Sequence, residues 1–364
     1  MLRICYYISD YGYGHASRSI AVIRRLLGAS DSVEILVKSG FPFSFLSDSL
    51  PQKRVKVFRC DNDIGVELAE GSTSVDVSGT RRRLDGWLKS WDEYMRRESR
   101  FCSENRISLI LSDVAPQPFM VARDLGIPSI GVSNFTWYDI FHGLFGECEA
   151  TEKMREAYGS AGSFLVLPFN DSMGYLRKAR EVGLVSRDVV EEKTRVRKRL
   201  GVAADEKLVF LGIGKSMAGS FLAQMTGSGI KGTRFLVSSG SALHGGGIVS
   251  VPERETETQD FIAACDLVVT KSGYSTVAEA IRGSVPIFLL KRKGFSEDDH
   301  VEASIVKNRI GKVISEGSFL GCKWADDMES LNEYRGAFAS IEDRLRRDGT
   351  REVVDSILEL AAKL

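Results

Sequence analysis

The sequence predicts an α/β protein of two doubly wound, Rossmann-like domains facing each other across a cleft, and three observations predict it. Short apolar or β-branched runs alternate with amphipathic segments through the first half of the chain; the same alternation restarts in the second half; and 364 residues is the length of two domains rather than one. Two β/α series are better housed in two sheets than in one very wide sheet.

In the first series "RICYYIS", "VEILVKS", "RVKVFRC", "ISLILSD", "IPSIGVSN" and "FLVLPF" are strand candidates, rich in β-branched and aromatic residues. Between them, Ile20, Ile23, Leu26 and Leu27 recur at helical spacing over Ala16 to Leu27, and Leu84, Leu88, Trp91 and Met95 make a second stripe. The Pro and turn formers of "LPFND" set the domain break, with an N-terminal, acceptor-side domain over 1–168 and a donor-binding domain over 169–345. The charged stretch Arg187 to Leu200 reads as an exposed helix at the start of the second domain. Strands then follow at "KLVFLGIG", "TRFLVSSG", "GGIVSVP", "DLVVTKSG", "VPIFLLK" and "IGKVIS", with a helix over Ser275 to Arg282. A last helix lies within 346–364; its apolar face of Val353, Val354, Ile357, Leu358 and Ala361 is expected to pack back onto the N-terminal domain.

Composition narrows the function classes. Hydrophobic residues make up 43% and charged residues 27%, as in an ordinary globular protein. Lys plus Arg and Asp plus Glu are both 49, so no global field draws the chain to a nucleic-acid polymer. No apolar run approaches the ~18 residues of a membrane span, and the N-terminus reads as a strand entering a Gly-rich turn rather than a secretory leader. The six cysteines stand singly, without the close pairs of zinc or redox motifs. No metal site is expected from them, and a reducing, cytoplasmic setting fits. The segment Asp61 to Phe101, with Arg81, Arg82, Arg83, Trp87 and Trp91, offers either a solvated amphipathic helix or a face for an acceptor or for weak peripheral membrane contact.

Chemistry concentrates where strands end. In "SDYGYGHASRS", Gly12 and Gly14 permit close backbone approach before a helix whose first amides suit a phosphate or a sugar oxygen. A nicotinamide fingerprint is excluded, because the third glycine position is Ser17 and the second strand closes on Lys38 and Ser39 without an acid. His15 is placed to take a proton from an attacking hydroxyl, or else it is a capping loop histidine. Asp113, ending one strand, supports His15, binds acceptor hydroxyls or caps the helix that follows. Asn134 ends the next strand and faces the same crevice, and with Trp137 it is expected to bind the acceptor; Trp137 belongs to an aromatic cluster that stacks on a sugar or lipid or else fills a core.

In the second half, "FLGIGKSMAGS" is not a P-loop, since the required earlier glycine is Val209. Gly214, Lys215 and Ser216 still form either a phosphate-approach turn or a tight βα turn. The richest stretch is "CDLVVTKSGYSTVAEAIRGSVPIFLLKRKGFSEDDHVEAS". A Ser-Gly turn follows its strand, and the next helix opens with Ser275 and Thr276, so amides and hydroxyls converge where a diphosphate binds without a metal. Glu279, one turn on, accepts the hydroxyls of a ribose or simply favours the helix start.

Taken together, "SGYSTVAEA" with the following Pro-strand and "FSEDDHVEA" resemble the donor site of GT-B glycosyltransferases, in particular the lipid-intermediate N-acetylglucosaminyltransferase of cell-wall synthesis. "GYGHASRS" and "SNFTWYD" resemble the glycosyltransferase-like N-terminal domain of L-arabinokinases. The resemblance spans Ile4 to about Ile314 and implies that Glu279 holds the donor ribose. It further implies that Ser272, Gly273, Ser275 and Thr276 line the diphosphate, that Asp299 and His300 contact the donor sugar, and that Arg254 lies at the base. Gly14 and His15 match the N-terminal loop against the donor phosphates and the reacting centre. The sugar-contact position, which carries Gln or Asn in such enzymes, is Asp-Asp-His here.

The expected activity is therefore inverting, metal-independent and cofactor-free transfer of a sugar from a nucleotide diphosphate sugar, a UDP-sugar first, to a hydroxyl of a glycan, lipid-linked or small-molecule acceptor. Nucleotide-sugar epimerisation and a non-enzymatic sugar-nucleotide-binding module are the alternatives on the same fold.

Overall fold

The computed structural model describes residues 1–69, 75–170, 173–176, 178–213, 230–239, 245, 247–291 and 296–364, the last segment without the side chains of 296 and 297. The chain divides into two compact units, the first comprising 1–69, 75–185 and 346–364, the second the described residues from Ser186 to Leu345.

The first unit carries β1 (Leu2–Ile8), β2 (Val33–Lys38), β3 (Val55–Phe58), β4 (Leu109–Asp113), β5 (Ser129–Ser133), β6 (Ser163–Val166) and β7 (Ala179–Glu181). All neighbours pair parallel, in the order β3-β2-β1-β4-β5-β6-β7. Helices cover both faces, and the central strands β4 and β5 are buried throughout, their serines and Asp113 included. Cys5, Tyr7, Leu36, Cys102, Ile110 and Val121 form one core layer.

The second unit carries β8 (Lys207–Gly212), β9 (Thr233–Val237), β10 (Ile248–Ser250), β11 (Leu267–Lys271), β12 (Ile287–Leu290) and β13 (Gly311–Ile314), again parallel, in the order β10-β9-β8-β11-β12-β13. Val209, Leu211, Phe235, Val269, Phe288 and Trp324 lie in its core. In each sheet the order reverses once, between β1 and β4 and between β8 and β11. Loops diverge there, and doubly wound sheets bind ligands beyond those carboxyl ends.

Three sequence expectations need correction. The first unit does not stop at 168, because β7 pairs with β6 and extends the unit to Val185. The stretch Arg187 to Leu200 is helical only over Lys193–Arg199, and Arg187 is buried rather than exposed. The second N-terminal stripe is split by Ser90 into helices Val77–Lys89 and Trp91–Glu104, and Trp87 and Trp91 pack edge to face in the interior, not on a membrane-facing surface. The last helix, Gly349–Ala361, packs on Tyr13–Ala29 of the first unit, where Arg25 meets Asp348 at 3.2 Å and Glu352 accepts from the Gly183 amide at 3.0 Å. No helix among the described residues is long and apolar enough to cross a membrane.

Candidate functional site

At the carboxyl edge of the first sheet, β1 gives way to a turn in which Gly12 has φ 89°, a left-handed conformation that costs glycine little. The helix Tyr13–Ala29 starts immediately beyond it. Its third residue, His15, is 7% exposed and places Nδ1 2.8 Å from Oδ1 of Asp113, the last residue of β4 and the register partner of Ile8. Among the described residues Nε2 of His15 has no hydrogen-bond partner.

Arg18 lies one turn after His15, on the same helix face. It is buried, and its fork grips Asp113 twice, Nε to Oδ2 at 2.7 Å and Nη2 to Oδ1 at 2.6 Å. Nη1 donates to Oδ1 of Asn134 at 2.7 Å, and Ser19 Oγ donates to Asp113 Oδ2 at 3.2 Å. Burial works against the charge of Asp113, yet Arg18 and then His15 hold its carboxyl down at about 2. The next residue, Val114, has φ 65°, a strained left-handed conformation for a β-branched side chain. Tyr158 holds it there, donating from its hydroxyl to the Val114 carbonyl at 2.5 Å.

A second buried acid, Asp63, flanks this centre. It accepts from the Asp10 amide at 2.8 Å and from Trp137 Nε1 at 2.8 Å. Burial, then the neighbouring Asp10 carboxylate, push Asp63 up to about 6. Asp10 itself ties down the loops after β2 and β3, accepting from the amides of Gly40, Phe41 and Asn62. Because folded Asp63 binds its proton more tightly than the unfolded chain at about 3.9, its contribution to stability is full below pH 4 and is lost as pH rises to 6. Urea unfolding of Asp63→Asn, compared with the wild type from pH 4 to 7, should show a stability difference that shifts in favour of the variant by on the order of 2 kcal/mol. A constant difference would mean that Asp63 titrates normally.

In the second unit, Gly212 ends β8 where Thr270 Oγ1 donates to its carbonyl at 3.1 Å. A Cβ there would lie 2.5 Å from that hydroxyl, so glycine is required. Beyond β11, Ser272 is fully buried and its Oγ has no partner among the described residues. The nine-residue helix Tyr274–Arg282 follows with Gly273 as N-cap, no side-chain cap, and open space where a Gly273 Cβ would be. An uncapped helix start beside an unpaired hydroxyl is a ready anion seat. Ser275 is buried and Thr276 half-buried in the first turn.

Glu279 is buried, and Arg187, 2% exposed, donates to its Oε1 from Nε at 2.9 Å while Nη2 lies 2.8 Å from the same oxygen. Arg187 also donates to the Thr256 carbonyl and, at 2.6 Å, to Thr258 Oγ1.

The structure thus brings His15, Asp113 and Asn134 together, and Ser272, Gly273, Ser275 and Thr276 together. Trp137 is a core residue, stacked on Phe141 at 5.5 Å with its indole N–H bound to Asp63. Gly14 is exposed in the first helical turn. Arg254 is exposed at φ 66°. Asp299 is exposed and His300 half-buried, whereas their neighbour Asp298 is buried. Gly214, Lys215 and Ser216 lie outside the described residues. Among those described, no three His, Cys, Asp or Glu side chains gather as a metal site would require. Sequence reading missed Arg18, Asp63 and Arg187; only Arg18 carried a local signal, its helical spacing from His15.

No protein-family model matches the chain. Over 339 residues, 90% of this chain, it is 26% identical to an L-arabinokinase of Arabidopsis thaliana, and it spans only 32% of that protein. Phytolacca americana UGT2, solved with UDP-2fluoro-glucose and pterostilbene, matches 100% of this chain with 99% of its own, at TM-score 0.67 and 13% identity. The spinosyn rhamnosyltransferase SpnG, solved with thymidine diphosphate, matches 98% of this chain with 100% of its own, at TM-score 0.67 and 12% identity. The calicheamicin glycosyltransferase CalG4 matches 100% with 99% of its own, at TM-score 0.65 and 12% identity. At such identities the likeness establishes architecture: the chain has the fold of GT-B glycosyltransferases, two Rossmann-like domains each built on a parallel sheet.

Proposed function

We propose that the protein is a cytoplasmic glycosyltransferase that moves a sugar from a nucleoside diphosphate donor, a UDP-sugar first, to a hydroxyl of a glycan, lipid-linked or small-molecule acceptor. The observation that carries this reading is the buried His15–Asp113 pair at the switch point of the first sheet, with Nδ1 bound and Nε2 left for substrate. His15 Nε2 accepts the acceptor's proton as its oxygen attacks the anomeric carbon and the diphosphate departs. One displacement with one base inverts that centre. In the second unit, the helix start at Gly273, with Ser272, Ser275 and Thr276, is suited to bind a diphosphate without a metal.

Two further features support the reading. The rings of Tyr13 and Phe41, 57% and 60% exposed and 5.0 Å apart, offer an apolar platform for an acceptor two residues from His15. Two of the structurally similar proteins were solved with a nucleoside diphosphate or its sugar.

Thermal unfolding with UDP, TDP and GDP tests the donor site. At 100 times its Kd, a ligand of the folded state adds about 2.7 kcal/mol, a rise of several degrees. UDP should give the largest rise, and Ser272→Ala should weaken its binding about twofold to tenfold, the loss of one hydrogen bond. Three nucleotides without effect would overturn the donor assignment. Loss of a UDP-sugar with no acceptor present, yielding a second UDP-sugar, would mark an epimerase instead.

A further inference from the structure

We propose that Arg18 is a positioning residue for His15: it clamps Asp113 and thereby fixes His15 in the tautomer that leaves Nε2 unprotonated. The inference rests on the reading of His15 as the base. The hydrogens decide it. Nη2 of Arg18 has two, and three acceptors lie within reach: Asp113 Oδ1 at 2.6 Å, His15 Nδ1 at 2.9 Å and Ser133 Oγ at 3.2 Å. The carboxylate oxygen takes the first. If Nδ1 took the second, its lone pair would be spent on Arg18, and the 2.8 Å approach to Asp113 Oδ1 would set acceptor against acceptor. With the proton on Nδ1, that approach becomes a charge-assisted hydrogen bond, the second Nη2 hydrogen goes to Ser133, and Nη2 and Nδ1, 2.9 Å apart, stand side by side as two donors to the same Asp113 Oδ1.

Charge leads to the same assignment. Asp113 is fully buried, and beside a neutral imidazole alone its charge would stand uncompensated. Arg18 supplies the counter-charge, so Asp113 stays ionised. The same guanidinium joins the ends of β4 and β5 through Asp113, Ser133 and Asn134, which fixes the carboxylate in place as well as in charge. A lysine has the charge without the planar fork and satisfies only part of this geometry.

The full-length protein labelled with ¹⁵N-histidine tests this by NMR at pH 8, the His15 signals being identified by their loss in His15→Gln. The wild type should show Nδ1 protonated and Nε2 bare. Arg18→Ala should show mixed tautomers. It should also lower kcat for UDP release from UDP-glucose at least tenfold with KM unchanged, and millimolar guanidinium should restore part of the rate. Arg18→Lys serves if the alanine variant fails to fold, with an intermediate ring signature. Arg18 variants that keep the wild-type ring state and a kcat within twofold overturn the proposal. A changed ring in Arg18 variants, with His15→Ala leaving UDP release intact, supports the clamp and refutes the base reading instead.

Discussion

His15→Ala should lower kcat for sugar transfer by about 100- to 10,000-fold, the usual worth of a positioned general base, with little change in KM for the UDP-sugar. The split follows from the layout, because the residues proposed to hold the nucleotide belong to the second unit and His15 to the first. The fold should tolerate the change. Asp113 keeps both guanidinium contacts from Arg18, at 2.6 and 2.7 Å, so no buried carboxylate is stranded. Asp113→Ala is a poorer test of chemistry, since it strands Arg18 and costs about 3–5 kcal/mol of stability on its own. Comparing kcat, KM and melting temperature for His15→Ala therefore separates a lost base from a damaged fold. A kcat within threefold of the wild type would rule His15 out as the base.

How far the site is legible in the sequence depends on how far apart its partners lie. Strands are legible because parallel strands covered on both faces leave apolar runs, as in β4 and β11. His15 and Asp113 are legible because both sit where strands end, and a parallel sheet gathers all such ends on one edge. β7 is not: its residues Ala179, Arg180 and Glu181 are all exposed, so no apolar pattern announces the strand that moves the unit boundary to Val185. Arg18 resembles any helix arginine until β4 and β5 bring Asp113 and Asn134 to it. The same holds for Asp63, whose loop finds the indole of Trp137 74 residues later. Arg187 is the clearest case, since a charge in a charged stretch reads as solvated and its partner Glu279 lies 92 residues away.

That pair gives the other large expected effect. Glu279→Ala should destabilise the second unit by about 3–5 kcal/mol, because it leaves the guanidinium of Arg187, 2% exposed, without its carboxylate. It should also weaken UDP binding, by about 1.5–3 kcal/mol or roughly 10- to 150-fold, if the carboxylate holds the ribose hydroxyls. The single variant confounds the two, since a loosened unit also binds poorly. Arg187→Met combined with Glu279→Leu resolves them. Replacing a buried ion pair by apolar side chains of similar size is often neutral or stabilising, so the double variant should regain most of the stability measured by urea unfolding. Calorimetry on that variant then isolates the ribose contact. UDP affinity still reduced at least tenfold assigns Glu279 to the donor site, with Arg187 as the residue that orients it. Affinity equal to the wild type makes the pair a structural tie between Glu279 and the segment Thr256–Thr258 and removes Glu279 from the nucleotide site.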